Sequence, residues 1–436
     1  MNSWKNIRLG QIAEFRNGVN YDDSSFGKGI KLISVSDFKD RMYPEYDSLG
    51  ELDANARWPE ECFLKEGDVV FVRSNGNKNL IGRSIYIKNI PDNELVTYSA
   101  FCIRLRFLPE KKLSPFFYLY VFKSPLFRSL LSQFGNGANI NNLNQSILNN
   151  IEVPNPPLPT QQKIASILSA YDDLIENNNQ RIKLLEEMAE EIYKEWFVRL
   201  RFPDYENVKV VDGVPEGWEI KTVDEIFEYV SRGVTPVYQE DSSLFAINQK
   251  VNKGKLLEKQ YLKSLDPSSK IPNEKYAKQG DILLNSLGEG TLGRVHFYTD
   301  LDATYPIDQH MTILRCKQKS KAFFVYMFLQ SKLGQGLLDL MKVGGTNMTM
   351  LNLSDVKKFK ILIPKDDLIN KYFSIVDNSF ELKQNLLNKN TILQQTRDLL
   401  LPRLISGKLS VEDINIEYPE NQDELNMAAE PTAPYN

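Results

Sequence analysis

The sequence predicts an α+β protein in which two repeated mixed α/β domains are separated by two long antiparallel coiled-coil helices related by a pseudo-two-fold axis. Three observations indicate this fold class. The chain repeats itself with a period of about 210 residues, each half contains short apolar runs broken by Gly, Asn and Asp, and each half closes on a long segment of three-four apolar spacing. A chain of 436 residues also exceeds what one hydrophobic core usually serves.

The repeat is visible in several matched segments. "WKNIRLGQIAEF" from Trp4 aligns with "WEIKTVDEIFEY" from Trp218, and "EGDVVFVRSNG" from Glu66 aligns with "QGDILLNSLGEG" from Gln279. "FFYLYVFKSPL" matches "FFVYMFLQSKL", and "GANINNLN" matches "GTNMTMLN". Side chains differ most where the pattern is typical of loops. The shared part is therefore interpreted as scaffold, and the differing part as a source of specificity.

Each half has the same predicted order of elements. The runs "IKLISVSDF", "DVVFV", "RSIYI" and "FCIRLRF" predict strands in the first half. One helix is predicted over Pro115–Phe134, with a counterpart over Ala322–Met341. A long helical segment then ends each half.

The two long helices are predicted from their apolar seams. The first seam consists of Ile164, Ile167, Tyr171, Leu174, Ile182, Leu185, Ala189, Ile192 and Trp196, interrupted by the polar Asn178. The second consists of Phe373, Val376, Phe380, Leu387, Leu393 and Leu400. The predicted partition is a first domain 1–154, a helical spacer 155–203, a second domain 204–363, a helical spacer 364–411 and an acidic, disordered tail 412–436.

The charge distribution permits a polyanionic partner. The net charge is −4, but the tail after Lys408 contains seven acids and no Lys or Arg, so the remainder of the chain carries +3. No run approaches eighteen apolar residues and the first residues do not resemble a signal peptide, so we expect no membrane contact and a cytoplasmic location.

Cysteine and histidine are too scarce to favour metal or nucleophilic chemistry. Cys62, Cys102 and Cys316 are far apart, which predicts reduced structural thiols. His296 and His310 are the two histidines, and a zinc site or a Ser-His-Asp triad would have to use one of them. We therefore predict neither a metal site nor a Ser-His-Asp triad.

Two motifs resemble cofactor or catalytic signatures but are better explained structurally. The stretch "NPPL" from Asn155 is one residue from an adenine-methyltransferase tetrapeptide, yet Leu158 cannot stack on a base and no glycine-rich cofactor turn precedes it. A proline-rich stop before a helix is the favoured interpretation. "GEGTLG" from Gly288 is followed by the strand-like "RVHFYTD", which predicts a glycine-rich connection between two strands rather than a dinucleotide site.

The same glycine-rich connections are candidate DNA contacts. Glycine lets the backbone approach a phosphate closely, and Asn, Ser, Thr and Arg read phosphates and base edges. The candidates are Arg73, Ser74, Asn75, Asn77, Lys78 and Arg83 in the first half, Asn285, Ser286, Thr291 and Arg294 in the second, and the paired Asn139 and Asn347. The alternative for each is a solvated turn, and for the paired asparagines a structural cap.

Several segments of the sequence resemble a known family. "PLPTQQKIASILSAYDDLIENNNQRIKLLEEMAEEIYKEWF" resembles the central helical region of specificity subunits of Type I restriction–modification enzymes. "GDVVFVRSNG" and "GDILLNSLGEGTLGRV" resemble their target recognition domains, and "RDLLLPRLISGKLSV" the end of their second helical region. The resemblance extends to about Val411.

The resemblance implies a non-catalytic subunit. Each recognition domain would read one half of a split, asymmetric site in double-stranded DNA, and the helices would set the spacer. It also implies two modification subunits, which use S-adenosylmethionine, and restriction subunits, which use ATP and Mg²⁺. The modification subunits would dock on the helices, where the candidate contacts are Ile167, Tyr171, Leu174, Leu185, Ile192, Phe373, Val376 and Phe380.

Two alternatives remain open at the level of sequence. One is a catalytic adenine methyltransferase or a fused restriction–modification polypeptide. The other is a repeat scaffold whose domains bind only proteins.

Overall fold

The computed structural model describes residues 4–38, 42–77, 80–133, 142–288, 290–299, 304–345 and 348–414. The chain divides into two units, one formed by Met1–Asn178 with Lys389–Asn436 and the other by Asn179–Asn388. The divisions fall inside the two long helices, so each unit holds one mixed α/β domain and part of both helices. The acidic tail lies outside the described residues from position 415, and its disorder stays a prediction.

The first unit is built from short strands followed by helices. Its strands are β1 Asn6–Arg8, β2 Ala13–Asn17, β3 Gly29–Ile33, β4 Gly50–Asp53, β5 Val69–Val72, β6 Ser84–Tyr86, β7 Leu95–Tyr98, β8 Cys102–Phe107 and β9 Glu152–Pro154. Its helices are α1 Pro115–Lys123, α2 Pro125–Gln133, α3 Gln145–Asn150 and the first part of α4, Leu158–Tyr193.

The central sheet of the first unit has the order β2-β8-β5-β6 and is antiparallel throughout. A second sheet has the order β4-β3-β7, with β3 and β7 parallel. Strand β5 is covered on both faces: Val69 and Phe71 pack on the core below α1, whereas Val70 and Val72 pack on a separate cluster. Burial of both faces explains why this strand is an unbroken apolar run rather than an alternating one.

The second unit repeats this order. Its strands are β10 Val210–Val211, β11 Val214–Pro215, β12 Glu219–Thr222, β13 Tyr229–Arg232, β14 Phe245–Ala246, β15 Lys263–Ser264, β16 Ile282–Asn285, β17 Val295–Phe297, β18 Met311–Arg315, β19 Val343–Gly345, β20 Met348–Met350 and β21 Lys360–Ile363. Its helices are α5 Val223–Ile226, α6 Lys319–Gln330, α7 Lys332–Leu340, α8 Leu353–Lys358 and the first part of α9, Asp366–Ile405.

The two central sheets have the same topology. The order β13-β18-β16-β17 reproduces β2-β8-β5-β6, and the pair β12–β21 reproduces β1–β9. Strand β16 is also covered on both faces, because Ile282 and Leu284 pack on one cluster and Leu283 on another. The predicted α+β fold with a repeated mixed domain is therefore confirmed.

The single helix predicted after each central sheet is wrong in both halves. Ser124 separates α1 from α2 and Ser331 separates α6 from α7, each with an extended backbone. The hydroxyl of Ser331 accepts a hydrogen bond from the amide of Gly334 at 3.1 Å, and Ser124 accepts one from Phe127 at 3.4 Å. Each serine therefore ends one helix and caps the next.

The long helices α4 and α9 run antiparallel within each unit. In the first unit Asp172 contacts Arg397, and the amide of Asn178 donates to Asn390 Oδ1 at 2.8 Å. In the second unit Glu186 pairs with Lys383 at 2.7 Å. Partner numbers fall as the α4 numbers rise, as an antiparallel pair requires. The predicted seam begins correctly at the buried Ile164 but is one residue out of phase further along, where Ile175 is buried and Leu174 is 54% exposed.

The cysteines are free thiols, two of them buried. Burial raises the pKa of the Cys102 thiol, so it stays protonated. Across the described ranges no helix is long and apolar enough to cross a membrane. Among those same residues no group of His, Cys, Asp and Glu side chains is arranged to hold a metal ion.

Candidate DNA interface

The two predicted contact loops leave their sheets in the same way. The first, loop 73–83, joins β5 to β6, and the second, loop 286–294, joins β16 to β17. Gly82 N donates to Val72 O at 2.9 Å, and Gly293 N donates to Asn285 O at 2.9 Å. Both glycines have positive φ, of 80° and 85°, which a side chain would strain. Each loop therefore leaves the end of one strand and is closed at its base by a backbone hydrogen bond from a glycine.

Loop 73–83 presents polar groups of graded exposure. Arg73 is half-buried; its Nη1 donates to Ala100 O at 3.2 Å, and its Nε is buried without a hydrogen-bond partner in the described chain. Asn75 Oδ1 accepts from the amide of Asn77 at 2.7 Å, which forms a tight turn and leaves Asn77 exposed. Ser74 and Arg83 are half-exposed, and Lys78 lies outside the described residues.

Two predicted contacts of the second loop do not fit the structure. Asn285 and Ser286 are fully buried. The amide of Asn285 donates to Gln249 O at 3.0 Å, and the hydroxyl of Ser286 lies 2.7 Å from that of Thr312. Their polar groups are used inside the protein, so we correct both from DNA contacts to supports of the loop.

Thr291 and Arg294 remain half-exposed in the second loop. Arg294 Nη2 donates to Gly290 O at 3.0 Å across the turn. Thr291 Oγ1 is buried, and no described residue forms a hydrogen bond with it. Asn139 and Asn347 lie outside the described residues. DNA contact by Thr291, Arg294 and the polar residues of the first loop stays a prediction.

Asn252 is a supporting residue that the sequence did not reveal. It is fully buried, and its Nδ2 donates to Leu283 O at 3.1 Å and to Asn285 Oδ1 at 3.0 Å. Its Oδ1 accepts from the amide of Gly254 at 2.8 Å. The signal in the sequence is weak, because "VNKG" resembles any surface turn.

The end of each loop is held by two side chains from the helices that follow. In the first unit Lys123 Nζ donates to Ser84 O at 3.2 Å, and Arg128 donates to Ile81 O. In the second unit Gln330 donates to Val295 O at 2.8 Å, and Gln335 donates to Gly293 O at 3.1 Å. The alignment of "FKSPLFR" with "LQSKLGQ" pairs Lys123 with Gln330 and Arg128 with Gln335. The first unit thus uses cations where the second uses neutral amides.

The cations of the first unit line one cavity. Arg83, Lys123 and Arg128 share it with Arg397, Asp172 and Asp398, so its charged lining is net positive. Burial lowers the pKa of Arg128, and the neighbouring Arg83 guanidinium lowers it further. Tyr120 also lines this cavity and donates to Asp172 Oδ2 at 2.6 Å. Burial, with that carboxylate, raises the pKa of Tyr120 well above its ordinary value, so the phenol stays a donor.

A corner of the chain lies beside each loop. The amides of Arg73 and Ser74 donate to Phe101 O at 2.8 and 3.2 Å. The amides of Ser286 and Leu287 donate to His310 O at 2.9 and 3.0 Å. The other histidine, His296, is buried, with Nδ1 2.8 Å from Gly254 O.

The predicted partner contacts on the helices differ in exposure. Leu174 is exposed, Ile167, Tyr171 and Leu185 are half-buried, and Ile192, Phe373 and Phe380 pack partly against the core. Val376 is 1% exposed, so its assignment as a partner contact is corrected to core packing. Further apolar side chains of α4 and α9, outside the predicted seams, are exposed. They are Leu184, Met188, Ile375 and Leu382 in the second unit and Ile392 and Leu399 in the first.

The "NPPL" stretch has a structural role. Gln161 is buried, and its Nε2 donates to Asn155 Oδ1 at 3.0 Å and to Pro156 O at 2.9 Å. Tyr118 also donates to Asn155 Oδ1, at 2.9 Å. The side-chain oxygen of Asn155 therefore ties the start of α4 to α1.

Comparisons with known proteins agree with this architecture. A family model described as the Type I restriction modification DNA specificity domain matches residues 1–187 and 215–390. The MjaIX specificity subunit of Methanocaldococcus jannaschii is 29% identical over 408 residues, covering 89% of each chain. The HindI specificity subunit of Haemophilus influenzae is 23% identical, covering 94% of this chain and 100% of that one.

Similarity extends to a solved structure. The S subunit of a Type I restriction–modification system from M. genitalium superimposes with a TM-score of 0.55 at 15% identity, covering 93% of this chain and 96% of that one. This likeness concerns the fold alone, whereas the family match covers most of the sequence. The chain belongs to the Type I restriction modification DNA specificity family.

Proposed function

We propose that this chain is the DNA-specificity subunit of a Type I restriction–modification complex, in which each unit reads one half of a bipartite, asymmetric site in double-stranded DNA. The observation that carries the proposal is the repeated sheet with two closed polar loops of different composition. A shared central sheet with different loops is what two half-sites of unlike sequence require.

Base reading is assigned to the exposed and half-exposed polar groups of the loops. Arg73 and Asn77 in the first unit, and Arg294 in the second, are the strongest candidates because each lies on a loop closed by backbone hydrogen bonds. Arginine binds guanine O6 and N7, and asparagine binds adenine N6 and N7. Buried support by Asn252 and Asn285 would keep the second loop preorganised for such contacts.

The helices are proposed to set the spacer and to dock the modification subunits. Helix α4 contains 36 residues, which corresponds to about 54 Å at 1.5 Å per residue. Exposed apolar side chains such as Leu184 and Ile375 supply apolar area of the kind that partner helices cover. Inserting one helical turn near Asn177–Asn179 should lengthen the permitted spacer and leave both half-sites unchanged.

Catalysis is proposed to reside in partner subunits, with S-adenosylmethionine in the modification subunits and ATP with Mg²⁺ in the restriction subunits. Asn155 supports this, since its side-chain oxygen already accepts from Tyr118 and Gln161. A cytoplasmic location follows from the same proposal, because the complex acts on cellular DNA.

The deciding experiment expresses the chain with its modification subunit and maps methylated adenines by single-molecule sequencing. One bipartite motif with a fixed spacer is expected. Methylation that requires the chain but follows no sequence would favour a scaffold that binds only proteins. Binding of S-adenosylmethionine by the isolated chain would favour the methyltransferase alternative. As a matched test, Arg294→Ala should alter one half of the motif and Arg73→Ala the other.

A further inference from the structure

Phe101 and His310 occupy equivalent positions beside the two loops. The carbonyl of each accepts the first two loop amides, from Arg73 and Ser74 in one unit and from Ser286 and Leu287 in the other. Phe101 is 59% exposed, and the side chain of His310 is 34% exposed. Each unit therefore places a ring at the base of its candidate reading loop, but the rings differ in chemistry.

The turn at this corner does not need a carboxylate. In the first unit Ser99 Oγ accepts from the amide of Phe101 at 3.1 Å. In the second unit Asp308 Oδ1 accepts from the amide of His310 at 2.6 Å. A serine hydroxyl forms the same local bond, so the carboxylate has a further role in the second unit.

That role is contact with the imidazole ring. Asp308 is fully buried, accepts from Tyr238 Oη at 2.7 Å and also contacts His310 Nδ1. With the carboxylate oxygen as the acceptor, this contact assigns the ring hydrogen to Nδ1. In the neutral ring Nε2 then has a lone pair, and within the described chain it forms no hydrogen bond.

We propose that His310 is a specificity-determining residue of the second unit, whose Nε2 accepts a hydrogen bond from the exocyclic amino group of adenine or cytosine in the major groove. Guanine O6 and thymine O4 are acceptors at the corresponding places, so the lone pair of Nε2 disfavours them. Asp308 is the positioning residue. In the first unit, Phe101 offers only an apolar ring at this place. The inference rests on the proposed function.

The test uses the full chain assembled with its modification subunit and a library of randomised duplexes. Sequencing of the bound fraction gives the base preference at each position. At one base pair the wild-type complex should prefer amino over keto bases by about 3- to 10-fold. His310→Phe, which installs the residue of the first unit, should abolish this preference. His310→Gln, which keeps an acceptor oxygen, should retain part of it.

Asp308→Ser separates a positioning role from a purely structural one. Serine, the residue of the first unit at this place, keeps an acceptor for the amide of His310 but is one atom shorter and no longer holds Nδ1, so the amino preference at that base pair should weaken while the turn is retained. Tyr238→Phe removes one bond to Asp308 but leaves the ring in place, and is the matched control with an unchanged preference. Thermal unfolding of each variant checks that it is folded.

The outcomes distinguish the inference from the function beneath it. A wild-type complex without any sequence preference would overturn the proposed function itself. A specific wild-type complex whose preferences are unchanged in His310→Phe would overturn the inference alone. A folded Asp308→Ser variant that keeps the full amino preference would also overturn it, because the carboxylate would then not position the ring for reading.

Discussion

Replacing Asn285 with alanine should destabilise the second unit rather than remove a DNA contact. The side chain is fully buried, donates to Gln249 O and accepts from Asn252 Nδ2, each at 3.0 Å. Its loss leaves a carbonyl and an amide hydrogen without these partners. At about 1–3 kcal/mol for each unsatisfied buried group, the cost is roughly 2–6 kcal/mol.

The corresponding shift in unfolding temperature is large enough to measure. For a unit of this size, about 1 kcal/mol lowers the midpoint by roughly 2–4 °C, so Asn285→Ala should lower it by roughly 4–24 °C. Scanning calorimetry of the full chain measures this change. Hydrogen exchange at β16 and β17 then shows whether the loss lies where Asn285 sits.

Arg294→Ala, on the loop that follows Asn285, is the matched variant. Its guanidinium makes one hydrogen bond, to Gly290 O, at a half-exposed place, so the unfolding free energy should change by about 0.5 kcal/mol or less. Affinity for the cognate half-site should instead fall by about 1–3 kcal/mol. An Asn285→Ala variant with unaltered unfolding and weakened DNA binding would refute the assignment of Asn285 as a support.

Two further predictions concern charge and register. Lys123→Gln combined with Arg128→Gln should leave the first unit folded, because neutral amides make the equivalent bonds in the second unit. If both cations contact phosphates, the slope of log binding constant against log salt concentration should become shallower by about 1.8. An unchanged slope would exclude phosphate contact by this pair. Asn178→Leu with Asn390→Leu should raise the unfolding temperature while loosening the register of α4 and α9, since a buried amide pair specifies register at a cost in stability. A lower unfolding temperature for the double variant would contradict this, and cysteine cross-linking across the helices measures the register.

The strands of the sheets were predictable because buried strands consist of apolar residues. Strand β5 is covered on both faces, so its four residues are all apolar, and the run ends where the loop begins. The break between α1 and α2 was also accessible, since Pro125 disfavours a helical conformation at Ser124. The matching break at Ser331 is followed by lysine, and only the repeat could have revealed it.

The roles of the polar side chains in and beside the loops were harder to predict, because residue type does not show whether a side chain points into the interior or towards solvent. Asn285 continues the alternation of β16 into the interior, whereas the exposed Asn77 lies within a tight turn of its loop. Both appear in the sequence as polar residues near glycine. The phase of the α4 seam failed for a related reason, because Leu174 and Ile175 are equally apolar and only the packing selects between them.

The repeat separates scaffold from chemistry more sharply than either unit could alone. Where two units keep a hydrogen bond but change the side chain that makes it, the bond belongs to the scaffold and the change needs another cause. Ser99 and Asp308 both bond the amide two residues on, yet only the carboxylate orients a histidine. Lys123 and Gln330 both hold a loop end, yet only the lysine adds charge. Such substitutions mark where the chemistry of the two units differs, and they are the places at which to test for DNA reading.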